Sequence, residues 1–531
     1  MSRARKYFIN ALILSCASII LRAVSVSFNA HISTLIGAEG MGLITLCSGV
    51  FGFAITFACS GINLATVKLV SSDMARGGEK IGNIMRDGIF YSLLFSFTSL
   101  FVLASSSRLI AVSLLGDARL IPCIRLFALS LPAISLSSLI NGYFCAVRRS
   151  FKNVFIQFTE QGVKLFAISY LLTLLLPMGI EGSCIAVVLG GVISEVGSLI
   201  FSLILFLIDR RAHPPLIKGS SRANSAHRSA FNSICAISLP VAISAYARSA
   251  LSTIEHLAIP WGLRKYGLDY EGAISSYGIL HAMAIPVLLF PSAVLGSFSA
   301  LLIPELSEAH ARGDTACIRR IVSRVFALSL LFSVGVSGIF IAYSREIGLV
   351  LYKSHEVGKY IHTLAPLIPL MYLDGAVDAM LKGLGEHLYT MRVNISDSLI
   401  SILLILVLLP RAGIHGYVCV IFITEVLNTS LSIIRLLEVS GAKAMLRKWV
   451  FSPLVSIILS TIIVKFLFNF KIMSFLFGIV SEGGVFVICE ILLTALFYII
   501  ISYITGGIGR EDIKPLKSML LSPSVKGSNN G

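Results

Sequence analysis

The stretch RKYFINALILSCASIILRAVSVSFNAHISTLIGAEG (5–40) decides the fold. Behind Arg3, Arg5 and Lys6 the chain stays apolar from Phe8 to Ile36, broken only by polar residues at helical spacing. That run is longer than the roughly 7–15 residues of a leader's apolar core, so it reads as a first membrane span. Within it Ser15, Ser18, Arg22, Ser25, Asn29 and Ser33 recur every three or four residues and fall on one helical face. An ionisable side chain facing lipid costs several kcal/mol. A stripe centred on Arg22 therefore predicts a face that lines a water-filled cavity. No acid within the span neutralises Arg22.

The rest of the chain repeats the pattern of long apolar runs. Of 531 residues, 56% are hydrophobic and 13% charged, against roughly 25% charged in a soluble domain. We place spans near 8–36, 41–70, 88–111, 120–147, 153–176, 180–208, 232–259, 275–304, 323–344, 361–383, 390–410, 413–435, 449–470 and 477–506. Each is close to the roughly 20 residues that cross a bilayer. The reading is an all-α membrane protein of about 14 transmembrane helices.

The net charge of +16 does not point to nucleic acid, because the basic residues sit in short clusters between apolar runs. Such clusters mark cytoplasmic loops: Arg76, Lys80 and Arg86; Arg148, Arg149 and Lys152; Arg210, Arg211, Lys218, Arg222 and Arg228; Arg312, Arg319 and Arg320; Lys443, Arg447 and Lys448. Connections 37–40 and 177–180 carry no Lys or Arg; 345–360, with Arg345, Lys353 and Lys359, goes against the trend. The bias puts both termini in the cytoplasm. The ten cysteines lie mostly within spans, with no CxxC pair, and read as small apolar packing residues.

An internal repeat organises the spans. SSDMARG (71–77) matches SEAHARG (307–313), LLPMGIEG (175–182) matches LLPRAGIHG (408–416), and Ser194-Glu195-Val196 matches Thr424-Glu425-Val426. The offsets are nearly constant and in order. Each copy holds six spans, an even number, so both copies share one orientation. The expected divisions are an N-lobe (1–208, spans 1–6), a cytoplasmic linker (209–231), a C-lobe (232–438, spans 7–12), spans 13 and 14 (449–506) and a cytoplasmic tail (507–531). Transporters built from such parallel repeats hold substrate where the two copies meet.

Span seven echoes span one: Ser244, Arg248, Ser252 and Glu255 share a face, with His256 beside them. Two arginines suit an anion, because guanidinium forms forked pairs with phosphate oxygens. The alternative for Arg248 is a structural salt bridge with Glu255. Other intramembrane charges are Glu160 and Lys164, spaced to pair with each other; the ladder Asp374, Asp378 and Lys382; and the repeat-related Glu195 and Glu425. Glu160, Lys164, Glu195, Asp374, Asp378 and Glu425 have either a coupling or a structural role. Arg125 can snorkel to the interface, and His281 reads as a hydrogen-bonded core histidine. No Walker, GxGxxG, HExxH or GxSxG motif occurs. Neither catalytic residues nor a cofactor or metal is expected. A membrane potential, worth about 2.3 kcal/mol per charge at 100 mV, or an ion gradient is the expected driver.

Several segments resemble the stage V sporulation protein B family: IGAEGMGLITL (36–46) with KLVSSDMARG (68–77); LPAISLSSLINGYFCAVRRS (131–150) with Gln157, Glu160 and Gln161; and LPVAISAYARSALSTIEHLAIPWGLRKYGL (239–268) with FPSAVLGSFSALLIPELSEA (290–309). The resemblance covers the first twelve spans. That family belongs to the multidrug, oligosaccharidyl-lipid and polysaccharide exporter superfamily, whose members include MurJ-like peptidoglycan lipid flippases.

The resemblance implies two six-helix lobes around a cavity that opens alternately to each side. It also implies an undecaprenyl-pyrophosphate-linked saccharide as cargo, and a groove for its tail on the last two helices. Arg22 falls where flippases of this superfamily carry a cavity arginine. Where MurJ-like proteins carry an Arg-Asp pair later in that span, this chain has Phe28 and Asn29. Where they carry an Asp-Arg pair in span eight, it has only His281 and apolar residues.

The expected function is therefore flipping of a lipid II-like cell-wall precursor, with a link to spore cortex, across a bacterial cytoplasmic membrane. Arg22 and Arg248 would hold the pyrophosphate; Asn29, Ser18, Ser25 and Ser252 the sugar, with Glu255 nearby. Expected partners are the lipid-linked oligosaccharide, the phospholipid bilayer and cell-wall synthesis enzymes. The alternatives are an ion-coupled multidrug exporter, which would favour an acidic cavity, a membrane-embedded glycosyltransferase or ligase, which would need a sizeable outer loop, and a scaffold that transports nothing.

Overall fold

The computed structural model describes residues 3–75, 80–149, 151–212, 223–443, 445, 447–469 and 484–506, and side chains from Ala17 onward in most of these. Among the described residues the chain is helical with no strand. This follows from the solvent: lipid offers no hydrogen bonds, so each backbone amide must be satisfied within its own segment. The hydroxyls obey the same rule. Thr45 donates to the Met41 carbonyl, Ser48 to Ile44 and Thr56 to Gly52, each at 2.8 Å along its own helix.

Among the described residues, eleven apolar helical runs are long enough to cross a membrane. Three of them, Ala17–Met74, Phe151–Ala212 and His387–Ser440, have 58, 62 and 54 residues, about twice or more what one crossing needs. Each contains a break at a glycine with positive φ: Gly37 (73°), Gly179 (78°) and Gly413 (58°). The eleven runs, three of them broken in this way, are close to the about fourteen crossings the sequence predicts.

Gly179 and Gly413 are equivalent positions of the repeat. Their neighbours match as well: a Cβ on Gly182 would run into the Leu175 carbonyl oxygen, and one on Gly416 would lie 2.6 Å from the Leu408 oxygen. Both copies thus make the same turn. In the SSDMARG copy, Arg76 and Gly77 lie outside the described residues; so do 213–222 of the expected linker, the start of the expected last span and the tail 507–531.

The chain forms two compact units by contact: Met1–Thr34 with Met283–Asp397 and Val418–Gly531, and Leu35–Ala282 with Ser398–Tyr417. Contact grouping records which segments touch, whereas a repeat records which segments are equivalent. The first unit packs around Leu306, Val322, Phe326, Val377, Met380, Leu436 and Trp449. Its last two described helices, Ser452–Asn469 and Gly484–Ile504, dock on Thr315–Tyr352 through small residues: a Cβ on Gly338 would collide with Ile457, and one on Gly335 would lie 2.5 Å from the Tyr498 ring.

The second unit packs around Ile62, Tyr91, Leu139, Phe144 and Ile156. Its closest backbone approach joins Ala38–Gly42 to Ile274–Gly278. There a Cβ on Gly278 would meet the Ala38 carbonyl and lie 2.8 Å from the Gly42 nitrogen. Large apolar side chains such as Phe101, Phe166 and Ile504 are more than two-thirds exposed, which is where lipid tails would cover them.

Candidate functional site

The polar face of the first helix lies in the first unit. Ser18 and Arg22 are exposed, Ser25 and Asn29 half-buried, and Ser33 buried with its hydroxyl donating to the Ala30 carbonyl at 2.7 Å. The Ser15 side chain lies outside the described residues. Among the described residues no carboxylate pairs with Arg22. Its charge acts on Tyr372, whose hydroxyl donates to the Leu288 carbonyl at 2.5 Å. Arg22 is thus held beside a phenol and left free of acid.

A neighbouring face of the same helix is apolar. Ala23, Val26 and Ser27 form one wall of a cavity of about 400 Å³, closed by Phe290, Val336, Phe340, Val487, Ile488 and Ile491. One helix therefore presents a cation on one side and bounds an apolar space on another, and the last helix supplies the opposite wall.

The second polar face lies in the other unit, on Ala223–Tyr266. Arg248 and Ser252 are exposed. Glu255 does not pair with Arg248; its Oε1 accepts from Ser401 Oγ at 2.6 Å. Among the described residues Arg248, like Arg22, has no ion-pair partner.

The remaining charges gather into two groups. Glu160 accepts from Ser198 at 3.4 Å, and Glu160 and Lys164 both act electrostatically on Glu195. Lys382 pairs with Asp378 at 3.2 Å; Asp374 accepts from Asn428 at 3.4 Å, and Glu425 accepts from Thr429 at 3.2 Å with Asp374 close by. The repeat-related Glu195 and Glu425 each stand beside another acid from a different helix. Arg125 Nε donates to Ser107 at 3.1 Å.

Sequence reasoning did not anticipate the surroundings of His281. It bonds to Tyr417 at 2.8 Å, and His256 bonds to Tyr277 at 2.9 Å. His256 and His281 were visible in the sequence, but the Tyr417 contact spans 136 positions and carries no local signal.

Among the described residues, the chain is a set of long apolar helices broken at repeat-related glycines, with Arg22 and Arg248 outside any ion pair. The solved structures agree on the fold. A lipid II flippase MurJ in an inward closed conformation superposes with a TM-score of 0.65 at 14% identity, covering 93% of this chain and 98% of that one. An inward-facing multidrug resistance MATE family transporter of the MOP superfamily superposes at 0.61 and 14% identity, covering 80% of this chain and 100% of its own.

Residues 8–310 match the polysaccharide biosynthesis protein family, and the chain belongs to it. Stage V sporulation protein B of Bacillus subtilis (strain 168) is 27% identical over 426 residues, 79% of this chain and 81% of that protein. The expected resemblance to stage V sporulation protein B is thus met by the family match and by the 27% identity, and the lipid II flippase shares the fold.

Proposed function

We propose that this protein is a flippase that carries an undecaprenyl-pyrophosphate-linked cell-wall saccharide across the bacterial cytoplasmic membrane by alternating access. The observation that carries the reading is the two-sided first helix. A lipid-linked diphosphate needs a cation for its headgroup and an apolar space for its tail. Arg22 supplies the first without an internal acid to compete, and the cavity beside Ala23, Val26 and Ser27 supplies the second.

In this reading Arg22 contacts the diphosphate and Ser18, Ser25 and Asn29 the adjoining polar groups. Arg248 and Ser252 offer a second anion-binding face, in line with the parallel repeat, and Glu255 shapes its far end. The lobes are 1–208 and 232–438, with both termini cytoplasmic. Relatives that include a lipid II flippase and a sporulation protein support a peptidoglycan precursor, with cell-wall synthesis enzymes as the partners that consume it.

The test is transfer in vesicles. Purified full-length protein is reconstituted with a fluorescent undecaprenyl-pyrophosphate disaccharide in the inner leaflet, and label reaching the outer leaflet is quenched. Protein-dependent transfer of this probe, and none of a lipophilic organic cation, is expected. Transport of the cation alone would favour the drug-exporter alternative, and transport of neither would favour a scaffold.

A further inference from the structure

Two imidazoles, two phenols and one carboxyl gather in the second unit, at the Glu255 end of the helix that carries Arg248. Glu255 and His256 come from Ala223–Tyr266. Tyr277 comes from Tyr270–Gly278 and His281 from the π-helical turn Ile279–Ala284 that continues it. Tyr417, with Ser401, comes from His387–Ser440. Tyr277 and Tyr417 are buried, at 0% and 3% exposure, and the two imidazoles are half-buried. The rings form one contiguous cluster: His256 meets His281 edge-on at 5.2 Å between centroids, and His281 lies tilted against Tyr277 at 4.7 Å and Tyr417 at 5.4 Å. The Glu255 charge reaches both Tyr277 and Tyr417. On the side of Leu35–Cys59, the helix packed against His256 presents the Gly49 backbone.

We propose that this cluster is a binding site for one proton. Three features point there. First, each imidazole is bonded to a hydroxyl, which can accept or donate, so the partner suits both the neutral ring and the imidazolium. A backbone N–H partner, by contrast, would hold that ring nitrogen unprotonated. Second, the charge count selects one proton. With none, the Glu255 carboxylate stands in a poorly hydrated site with no cation beside it, which is costly. With one, carboxylate and imidazolium cancel. With two, adjacent imidazoliums repel across 5.2 Å. Third, His281 sits in a π-helical turn, a rare irregularity that inserts one residue into the helix and recurs at functional sites. The proton resides on an imidazole nitrogen of the His256–His281 pair, with the Glu255 charge felt through the two phenols that the rings touch, and leaves to water when the site opens.

The experiment uses full-length protein in lipid nanodiscs with ring-15N histidine, titrated between about pH 5 and 8. His256→Gln and His281→Phe assign the two signals by their loss. The expected result is a single coupled step taking up one proton, shared by both rings, whose midpoint moves by about one pH unit or more in Glu255→Gln. Rings that hold one tautomer throughout, or that titrate independently of each other and of Glu255, overturn the site. If a variant loses the unperturbed signals of distant histidines such as His362, Tyr277→Phe, which keeps the ring, replaces it.

The proton's use in transport rests on the flippase reading. An imposed pH gradient should change lipid-probe transfer several-fold in the wild type and not in His281→Phe. Wild-type transfer that ignores the gradient removes the coupling. Absent transfer removes the flippase reading, while the resonance titration still decides the proton site.

Discussion

Replacing Arg22 by alanine separates a binding role from a structural one. In the fold Arg22 is exposed, and among the described residues no acid pairs with it. Its removal therefore strands no buried anion. If Arg22 holds the cargo as proposed, the substitution takes away a forked hydrogen bond to a diphosphate, and hydrogen bonds to charged groups are worth about 1.5–3 kcal/mol. At about 1.4 kcal/mol per factor of ten, transfer should fall roughly 10- to 150-fold. Arg22→Lys, which keeps the charge but loses the planar fork, should lie between.

The matched control is Arg149. It pairs with Asp209, whose side chain is only 2% exposed and is also engaged by Lys152 at 2.5 Å and Tyr143 at 3.1 Å. Arg149→Ala leaves that buried carboxylate short of a donor, at a cost of about 1–3 kcal/mol in stability. The assay pairs vesicle transfer of the lipid-linked probe with thermal unfolding in the same lipids. Arg22→Ala should lose transfer and keep its melting temperature; Arg149→Ala should lower the melting temperature. Unchanged transfer in Arg22→Ala, or a melting loss equal to that of Arg149→Ala, refutes the assignment of Arg22 to cargo.

Filling the apolar cavity tests the tail site: Val487→Trp should slow transfer of a long-tailed probe more than of a short-tailed one with the same headgroup, measured side by side in vesicles. Gly278→Ala forces apart two backbones that already touch at Ala38 and Gly42; unfolding should show a loss of about 1–3 kcal/mol, as overpacking does. Gly182→Ala and Gly416→Ala, equivalent in the repeat and equally crowded, should each destabilise by a similar amount; a loss at one and none at the other would argue that the two turns are not equivalent.

The hairpin glycines show how much could be read in advance. Gly179 and Gly413 lie in the repeated LLP-containing motif between two apolar runs; the motif was legible because a turn acts locally, while the glycines themselves were not singled out. The apolar runs were legible for the same reason: crossing a bilayer is a property of about 20 consecutive residues. Side-chain partners were not. Glu255 looked pairable with Arg248 on its own helix, yet its oxygen accepts from Ser401, 146 positions away. Glu160 and Lys164 have the spacing of a helical pair, but the carboxylate takes its hydrogen bond from Ser198 on the next helix. Intrahelical spacing decides which faces residues share, while helix packing decides which of the available donors arrives first.

The sorting of charge separates an anion carrier from a cation carrier. The acids of the candidate site are half-buried and have polar neighbours: Glu160 and Glu195 beside each other with Lys164, Asp374 with Asn428, Asp378 with Lys382, Glu425 with Thr429, Glu255 with Ser401. The two arginines on the polar faces are exposed and unpaired by acid. An organic cation would need the reverse, with carboxylates free and guanidiniums engaged, because an uncompensated charge of its own sign repels the cargo from a poorly hydrated site. Charge reversal therefore discriminates more sharply than truncation. Arg22→Glu should reduce transfer of the lipid diphosphate below the level of Arg22→Ala, since repulsion is added to a lost contact. Equal transfer in the two variants would mean that the anion never passes within reach of position 22.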